Sequence, residues 1–151
     1  LVKKITSIVN LNNGNIENSK MIKIENQFAI IMDCSLSSDI KKIKDELNTL
    51  EDLKVSYKKI NNSHILEKST KTYFIKGADD QGIINTVSEC FTKNNINIIE
   101  VDTFIELAPI TGSPLFNMRI TIEYTIDINL ERINEEISRI CKNLNLDVQI
   151  L

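Results

Sequence analysis

The chain has 151 residues, 42% of them hydrophobic and 26% charged, enough to bury a core in one domain or two small ones. Its formal net charge of −3 has the wrong sign for a surface that coats nucleic acid, and no stretch approaches the roughly 18 apolar residues of a membrane-spanning helix or the pattern of a signal peptide. Cys34, Cys90 and Cys141 lie far apart without zinc-ligand spacing, each inside an apolar pattern, and read as buried free thiols suited to a reducing cytoplasm.

In chain order, residues 1–13 carry Leu1, Val2, Ile5 and Val9 at helical spacing. Residues 15–25 and 26–34 read as two strands. Ser37 or Ser38 can cap a helix bearing Ile40, Ile43, Leu47 and Leu50, and residues 53–60 read as a further strand. INNSHILEKS (60–69) is polar enough for a linker. Residues 70–76 are rich in strand formers and run into the turn GADDQG (77–82). A helix follows, with Ile83, Ile84, Val87 and Phe91 on one face, and Asn94-Asn95 stops it. From Ile99, apolar Val101, Thr103, Ile105 and Leu107 alternate with Glu100, Asp102 and Glu106, a half-buried strand. APITGSP (108–114) is a loop by its two prolines and glycine. Phe116, Met118, Ile120, Ile122 and Tyr124 mark the next strand. Asn129 can cap a helix whose inner face is Leu130, Ile133, Ile137, Ile140, Cys141 and Leu144, and residues 146–151 form the last strand.

The chain repeats itself. Leu1, Val2, Ile5 and Val9 fall on Ile83, Ile84, Val87 and Phe91; Asn12-Asn13 falls on Asn94-Asn95, and Asn15-Ile16 on Asn97-Ile98. Phe28, Ile30 and Met32 match Phe116, Met118 and Ile120 across a longer second hairpin, and Leu53, Val55 and Tyr57 match Leu146, Val148 and Ile150. The order in the second copy is βαββαβ, the ferredoxin-like split βαβ arrangement. The expected architecture is therefore α+β: two ferredoxin-like βαββαβ domains in tandem, residues 1–60 and 70–151, joined by a linker at 61–69. Each has an antiparallel sheet with helices on one face. The first copy lacks the opening strand and turn, and a helix that starts uncapped at Leu1 fits a truncated N-terminus.

The turn 77–82 draws attention because it is neither a P-loop nor a dinucleotide fingerprint, yet suits a small anion. Gly77 and Gly82 let a ligand approach the main chain, and the turn ends at a helix N-terminus, where free N–H groups favour a carboxylate. Asp79 and Asp80 can accept hydrogen bonds from an ammonium group. An amino acid carries both groups. The alternative is that an aspartate merely caps the helix while the glycines turn the chain.

GADDQGIINTVSECFTKNNINIIEVDTF resembles the start of an ACT domain, a small-molecule-binding regulatory module whose turn reads Gly-x-Asp-x-Pro-Gly. Gly77, Asp79, Gly82, Asn97 and Ile98 match it, and Gln81 stands where proline is common. With its long hairpin IELAPITGSPLFNMRITIE, the chain is similar to the tandem ACT proteins related to the glycine cleavage system transcriptional repressor. The resemblance implies an amino acid, glycine or serine first, held at a seam between domains. One side of that seam is the turn Gly77, Ala78, Asp79, Asp80, Gln81 and Gly82. The other is an Asn-Ile segment of a neighbour, Asn15-Ile16 here or the same residues of another subunit. Asn97-Ile98 would serve the absent first turn. It also implies pairing, so a homodimer is expected, and a protein partner such as a transcriptional activator.

No nucleophile, metal set or cofactor loop stands out, and His64, the one histidine, sits in the linker without an obvious partner. The expectation is a cytoplasmic regulator rather than an enzyme, with no cofactor, no metal, and no direct nucleic-acid or membrane contact. Two rivals remain: a detached regulatory subunit of a metabolic enzyme, and a structural pairing module without ligand.

Overall fold

The computed structural model describes residues 1–37, 39–60 and 68–151. The chain forms two units, Leu1–Asn61 and Asn62–Leu151. Its elements run α1 (Val2–Leu11), β1 (Gly14–Ile24), β2 (Gln27–Leu36), α2 (Ile40–Asn48), β3 (Lys68–Ala78), α3 (Ile83–Lys93), β4 (Asn97–Leu107), β5 (Pro114–Thr125), α4 (Leu130–Asn143) and β6 (Leu146–Ile150). Ser38 and residues 61–67, which include His64 and most of the expected linker, lie outside the described residues. Lys68 and Ser69, linker residues by their polarity, open β3 instead.

The second unit is a complete four-stranded antiparallel sheet in the order β4-β5-β3-β6. Tyr73 and Ile75 of β3, Phe116, Met118, Ile120 and Ile122 of β5, and Leu146 of β6 turn to one face. There they meet Ile83, Val87 and Phe91 of α3 and Ile133, Ile137 and Cys141 of α4. Both helices are amphipathic and each buries one stripe, which satisfies the sheet's apolar face. The Tyr73 and Phe91 rings lie 5.3 Å apart, and the Tyr73 hydroxyl donates to Asn134 Oδ1 at 2.7 Å, so the buried phenol keeps its polar end paired. Asn129 caps α4 as its sequence position suggests, accepting from the Arg132 backbone N–H at 3.1 Å.

The first unit has a two-stranded sheet, β1 with β2, beside α1 and α2. Its cluster of fully buried apolar residues is Ile5, Ile43 and Leu47, with Leu53 and Val55 packed against it. Residues 53–60 are not a strand, against the alternation of Leu53, Val55 and Tyr57. In the second unit the matching β6 forms its ladder on β3, and no strand among the described residues precedes α1 to play that part here. The cap of α2 is Asp39, whose side chain accepts from Lys41 N at 3.0 Å, rather than Ser37.

The two copies keep the same local devices. Asn12 Nδ2 donates to Ile8 O at 2.9 Å and to Glu46 Oε2 at 2.8 Å; Asn94 Nδ2 donates to Cys90 O at 2.8 Å and to Glu136 Oε2 at 3.2 Å. In each unit one asparagine thus ends the first helix and clasps the second. Asn13 and Asn95 both take φ 54, the left-handed conformation that asparagine tolerates after a helix. The register slips at Ile16/Asn18 and again at Ile98/Glu100, so the bulge after Asn-Ile is repeated as well.

Burial pushes the Tyr73 phenol up to about 12 and the Cys90 and Cys141 thiols up to about 11, from 10.0 and 9.0. All three are neutral in the acid form, so the fold resists their ionisation. Their stabilising contribution is complete below the unfolded values and lost as pH rises through the folded ones. Denaturant titrations are expected to show constant stability to about pH 9 and a decline from there toward about pH 12. Tyr73→Phe should decline less steeply above pH 10. A wild-type curve level through pH 11 would contradict this origin.

Candidate functional site

The turn after β3 is shaped by close packing on one side and open space on the other. Gly77 pairs with Phe116 of β5 and Leu146 of β6. A Cβ there would stand 2.5 Å from Leu146 Cδ2 and 3.0 Å from the Asn145 carbonyl oxygen, so glycine lets β6 close on β3. Gly82 is the N-cap of α3 at φ 84, a conformation that disfavours a side chain, although a Cβ there would meet nothing within 4 Å. Ala78, Asp79, Asp80 and Gln81 between them are exposed.

Neither aspartate caps the helix. Asp80 Oδ1 accepts from the Gln81 backbone N–H at 2.7 Å and braces the turn. The Asp79 carboxylate has no hydrogen-bond or ion-pair partner among the described residues, and α3 has no side-chain cap. The first helical turn closes through Thr86 N and Thr86 Oγ1, which donate to Gly82 O at 2.9 and 3.0 Å. The N–H groups of Ile83, Ile84 and Asn85 precede that closure and point out of the helix end.

These groups border an open groove of about 530 Å³, lined by Asp79, Asp80, Gly82, Ile83, Ile84, Asn85, Ser88 and Phe116. Sequence periodicity puts Ile84 on the core face of α3; it is 43% exposed and walls the groove instead. Phe116, Asn85 and Ser88 join the site without any motif to mark them. Phe116 is there because β5 registers it opposite Gly77, and Ser88 because it lies one helical turn beyond Ile84 and Asn85. Apolar floor, helix end and carboxylates give one wall with a place for an anion, a cation and a short hydrocarbon.

Asn97 and Ile98 are elsewhere. Asn97 pairs with Glu123, and Glu123 with Thr70, near the start of β3, whereas β3 ends within the turn, at Ala78. Eight residues of strand separate the two levels, roughly 26 Å at about 3.3 Å per residue. The turn and its own Asn-Ile segment therefore occupy opposite ends of one sheet. Asn97 is exposed and opposite Glu123, whose carboxyl is held below its usual range chiefly by the hydrogen bond from Lys68, 2.7 Å away. Ile98 is half-buried against the core. Asn15 and Ile16 take the corresponding place in the first unit, paired with Ser35 and Cys34 of β2.

A second groove of about 530 Å³ lies at the other end of α3, between Lys93, Asn94, Arg132, Glu135, Glu136 and Arg139. There Arg132 donates to Asn94 Oδ1, and Lys93 pairs with Glu89 at 2.8 Å. Among the described residues no cluster of three or more histidine, cysteine or acidic side chains is placed to hold a metal, and no helix is long and apolar enough to cross a membrane.

No known family profile matches the chain, and no curated protein matches it in sequence. Solved structures do. An unknown protein from Galdieria sulphuraria superposes with TM-score 0.87 at 23% identity, over 99% of this chain and 88% of that one. A proposed glycine cleavage system transcriptional repressor superposes with TM-score 0.67 at 14% identity, over 100% of this chain and 88% of that one. The chain shares the fold of these two proteins, α+β with ferredoxin-like βαββαβ order in its second unit. An ACT domain protein from Streptococcus pneumoniae aligns over 54% of this chain and 86% of its own length at 17% identity, but its TM-score of 0.44 adds no weight. At these identities the likeness is one of fold, and the resemblance to the glycine cleavage repressors read from the sequence extends to three dimensions.

The two glycines of the turn should fail for different reasons. Gly77→Ala pushes a methyl against β6 backbone and is expected to cost about 1–3 kcal/mol. Gly82→Ala meets no atoms and is expected to cost about 1 kcal/mol through its backbone alone. Urea denaturation of both variants checks the order, and an equal or reversed cost would refute the packing argument at Gly77.

Proposed function

We propose that this chain is a tandem ACT protein, an amino-acid-sensing regulator in which the turn 77–82 forms one half of a ligand seat. The observation that carries the reading is the pairing of an uncapped α3 N-terminus with the uncommitted Asp79 carboxylate over an apolar floor. An α-carboxylate would take the N–H groups of Ile83, Ile84 and Asn85, where the helix dipole favours negative charge. The ammonium group would take Asp79, with Asp80 bracing the turn through Gln81. A small side chain would rest on Phe116, Ile83 and Ile84. Glycine and serine are the first candidates by resemblance to the glycine cleavage repressors.

The other half of the seat comes from a neighbour, Asn15-Ile16 or Asn97-Ile98 of a second subunit. β4 supplies a route to pairing. It is an edge strand, and Ile99, Val101, Phe104, Ile105 and Leu107 along it are all exposed. If two β4 edges met antiparallel in a homodimer, Asn97-Ile98 of one subunit would lie near Leu107 of the other, at the turn's end of the sheet. Control then passes through protein contact, to a transcriptional activator or similar partner in the cytoplasm, because a ligand shifts only equilibria whose two states bind it differently. No catalytic step, cofactor or direct nucleic-acid contact is part of this reading.

A thermal-shift panel of the twenty amino acids is the first test. A ligand that binds only the folded state stabilises it by about 2.7 kcal/mol at a hundredfold excess over its dissociation constant. A selective rise with glycine or serine is expected. In calorimetric titration Asp79→Ala should bind that amino acid at least about tenfold more weakly, about 1.4 kcal/mol, with an unchanged melting temperature in its absence. A flat panel at millimolar ligand would instead favour the pairing module without ligand, and unaltered affinity in the variant would remove Asp79 from the seat.

A further inference from the structure

The loop that closes the second hairpin is longer than a hairpin needs. In the first unit Glu25 and Asn26 alone join β1 to β2, whereas residues 108–113 join β4 to β5. The longer loop is a compact body: Ala108 N donates to Ser113 O at 2.8 Å, Gly112 N to Ala108 O at 2.9 Å, and Ser113 N to Thr111 Oγ1 at 3.3 Å. No charged residue occurs between Glu106 and Arg119, in a chain that is 26% charged. Yet this neutral tip stands in water, with Ile110 97% and Leu107 69% exposed. Neither belongs to the core of the second unit, so the tip adds little to the fold that carries it.

Register places the tip beside the amino-acid seat. Leu115 pairs with Ala78 and Phe116 with Gly77, so the hairpin ends level with the turn 77–82. Side chains two apart on a strand share a face. Pro114 and its partner Leu107 therefore lie on the same side of the sheet as Phe116, the groove floor, and Ile105, its neighbour on β4. The apolar floor continues from Phe116 to Leu107, roughly 7 Å along the strand at about 3.3 Å per residue, and the loop 108–113 begins where that floor ends. Across the mouth of the groove stand Ile84 and the uncapped N-terminus of α3.

We infer that residues 108–113 are a flap that closes over the seat, with Ile110 as the side chain that covers the bound amino acid. The inference rests on the seat proposed above and adds a covering residue to it. Closure takes Ile110, Leu107 and Ile84 out of water together, which is its driving force. The bonds inside the loop let it move as one piece, so little conformational freedom is lost. With water excluded, the contacts of the carboxylate with the helix end and of the ammonium group with Asp79 both strengthen.

The test is calorimetric titration of the full chain with serine and with glycine. Wild type is compared with a variant in which residues 108–113 are replaced by Glu-Asn, the pair that closes the first hairpin, and with Ile110→Ser and Ile110→Leu. The loop replacement and Ile110→Ser are expected to bind at least about tenfold more weakly, the cost of losing one apolar cover. Ile110→Leu is expected to stay within about twofold of wild type, because it conserves volume. Melting temperatures without ligand should match, since Ile110 lies outside the core. Equal affinity in wild type, the loop replacement and Ile110→Ser would overturn the flap and leave the seat standing. Weakening in the loop replacement alone would overturn the assignment of the cover to Ile110. No binding of serine or glycine by wild type would overturn the flap together with the seat as proposed for these ligands.

Discussion

The ladder that holds β3 between β5 and β6 is the constraint on which the second unit depends. It buries Tyr73 and Ile75 under both helices, brings Gly77 against the backbone of β6, and aims the chain into the turn that leads to α3. The first unit has a two-stranded sheet, β1 with β2, and no described strand pairs with β2 on its other side. Its buried apolar residues are Ile5, Val9, Ile43 and Leu47, and residues 53–57, which match β6, form no ladder.

The first unit shares two devices with the second. The clasp from Asn12 to Ile8 O and Glu46 reproduces that from Asn94 to Cys90 O and Glu136. Each satisfies a carbonyl at the end of a helix and joins that helix to its neighbour through a charged acceptor, a stronger bond than one between neutral groups. The bulge that follows Asn-Ile recurs at the same repeat position. The clasps join residues 34 apart in the first copy and 42 apart in the second, so each ties two helices together directly, without a strand between them.

Legibility in the sequence follows the same division. Element order in the second unit is readable because alternation in 116–124 and helical spacing in 130–141 admit one period each. Residues 53–60 mislead because alternation reports which side chains share a face and says nothing about whether a partner strand exists. Ile84 misleads because helical spacing identifies a face but not how much of it a neighbour covers. The α2 cap falls on Asp39 rather than Ser37 because SLSSD offers several capping side chains in a row. In the site, the glycines and aspartates of the turn announce themselves by composition, while Phe116 needs the β3–β5 register, which composition does not contain.

Register also bears on the proposed seat. In a single sheet, a turn at the end of β3 and an Asn-Ile pair at the start of β4 are held apart by the length of the strands, because β3 and β4 run the same way with β5 between them. No side-chain motion closes roughly 26 Å. On the proposed reading, a ligand contacted by both bridges copies of the motif in two subunits. Binding would then add to the stability of that pairing by linkage, and whatever altered the pairing would alter affinity in return. On this reading the regulatory character of the fold comes from geometry more than from any reactive group: a site split between two bodies reports on how they are joined.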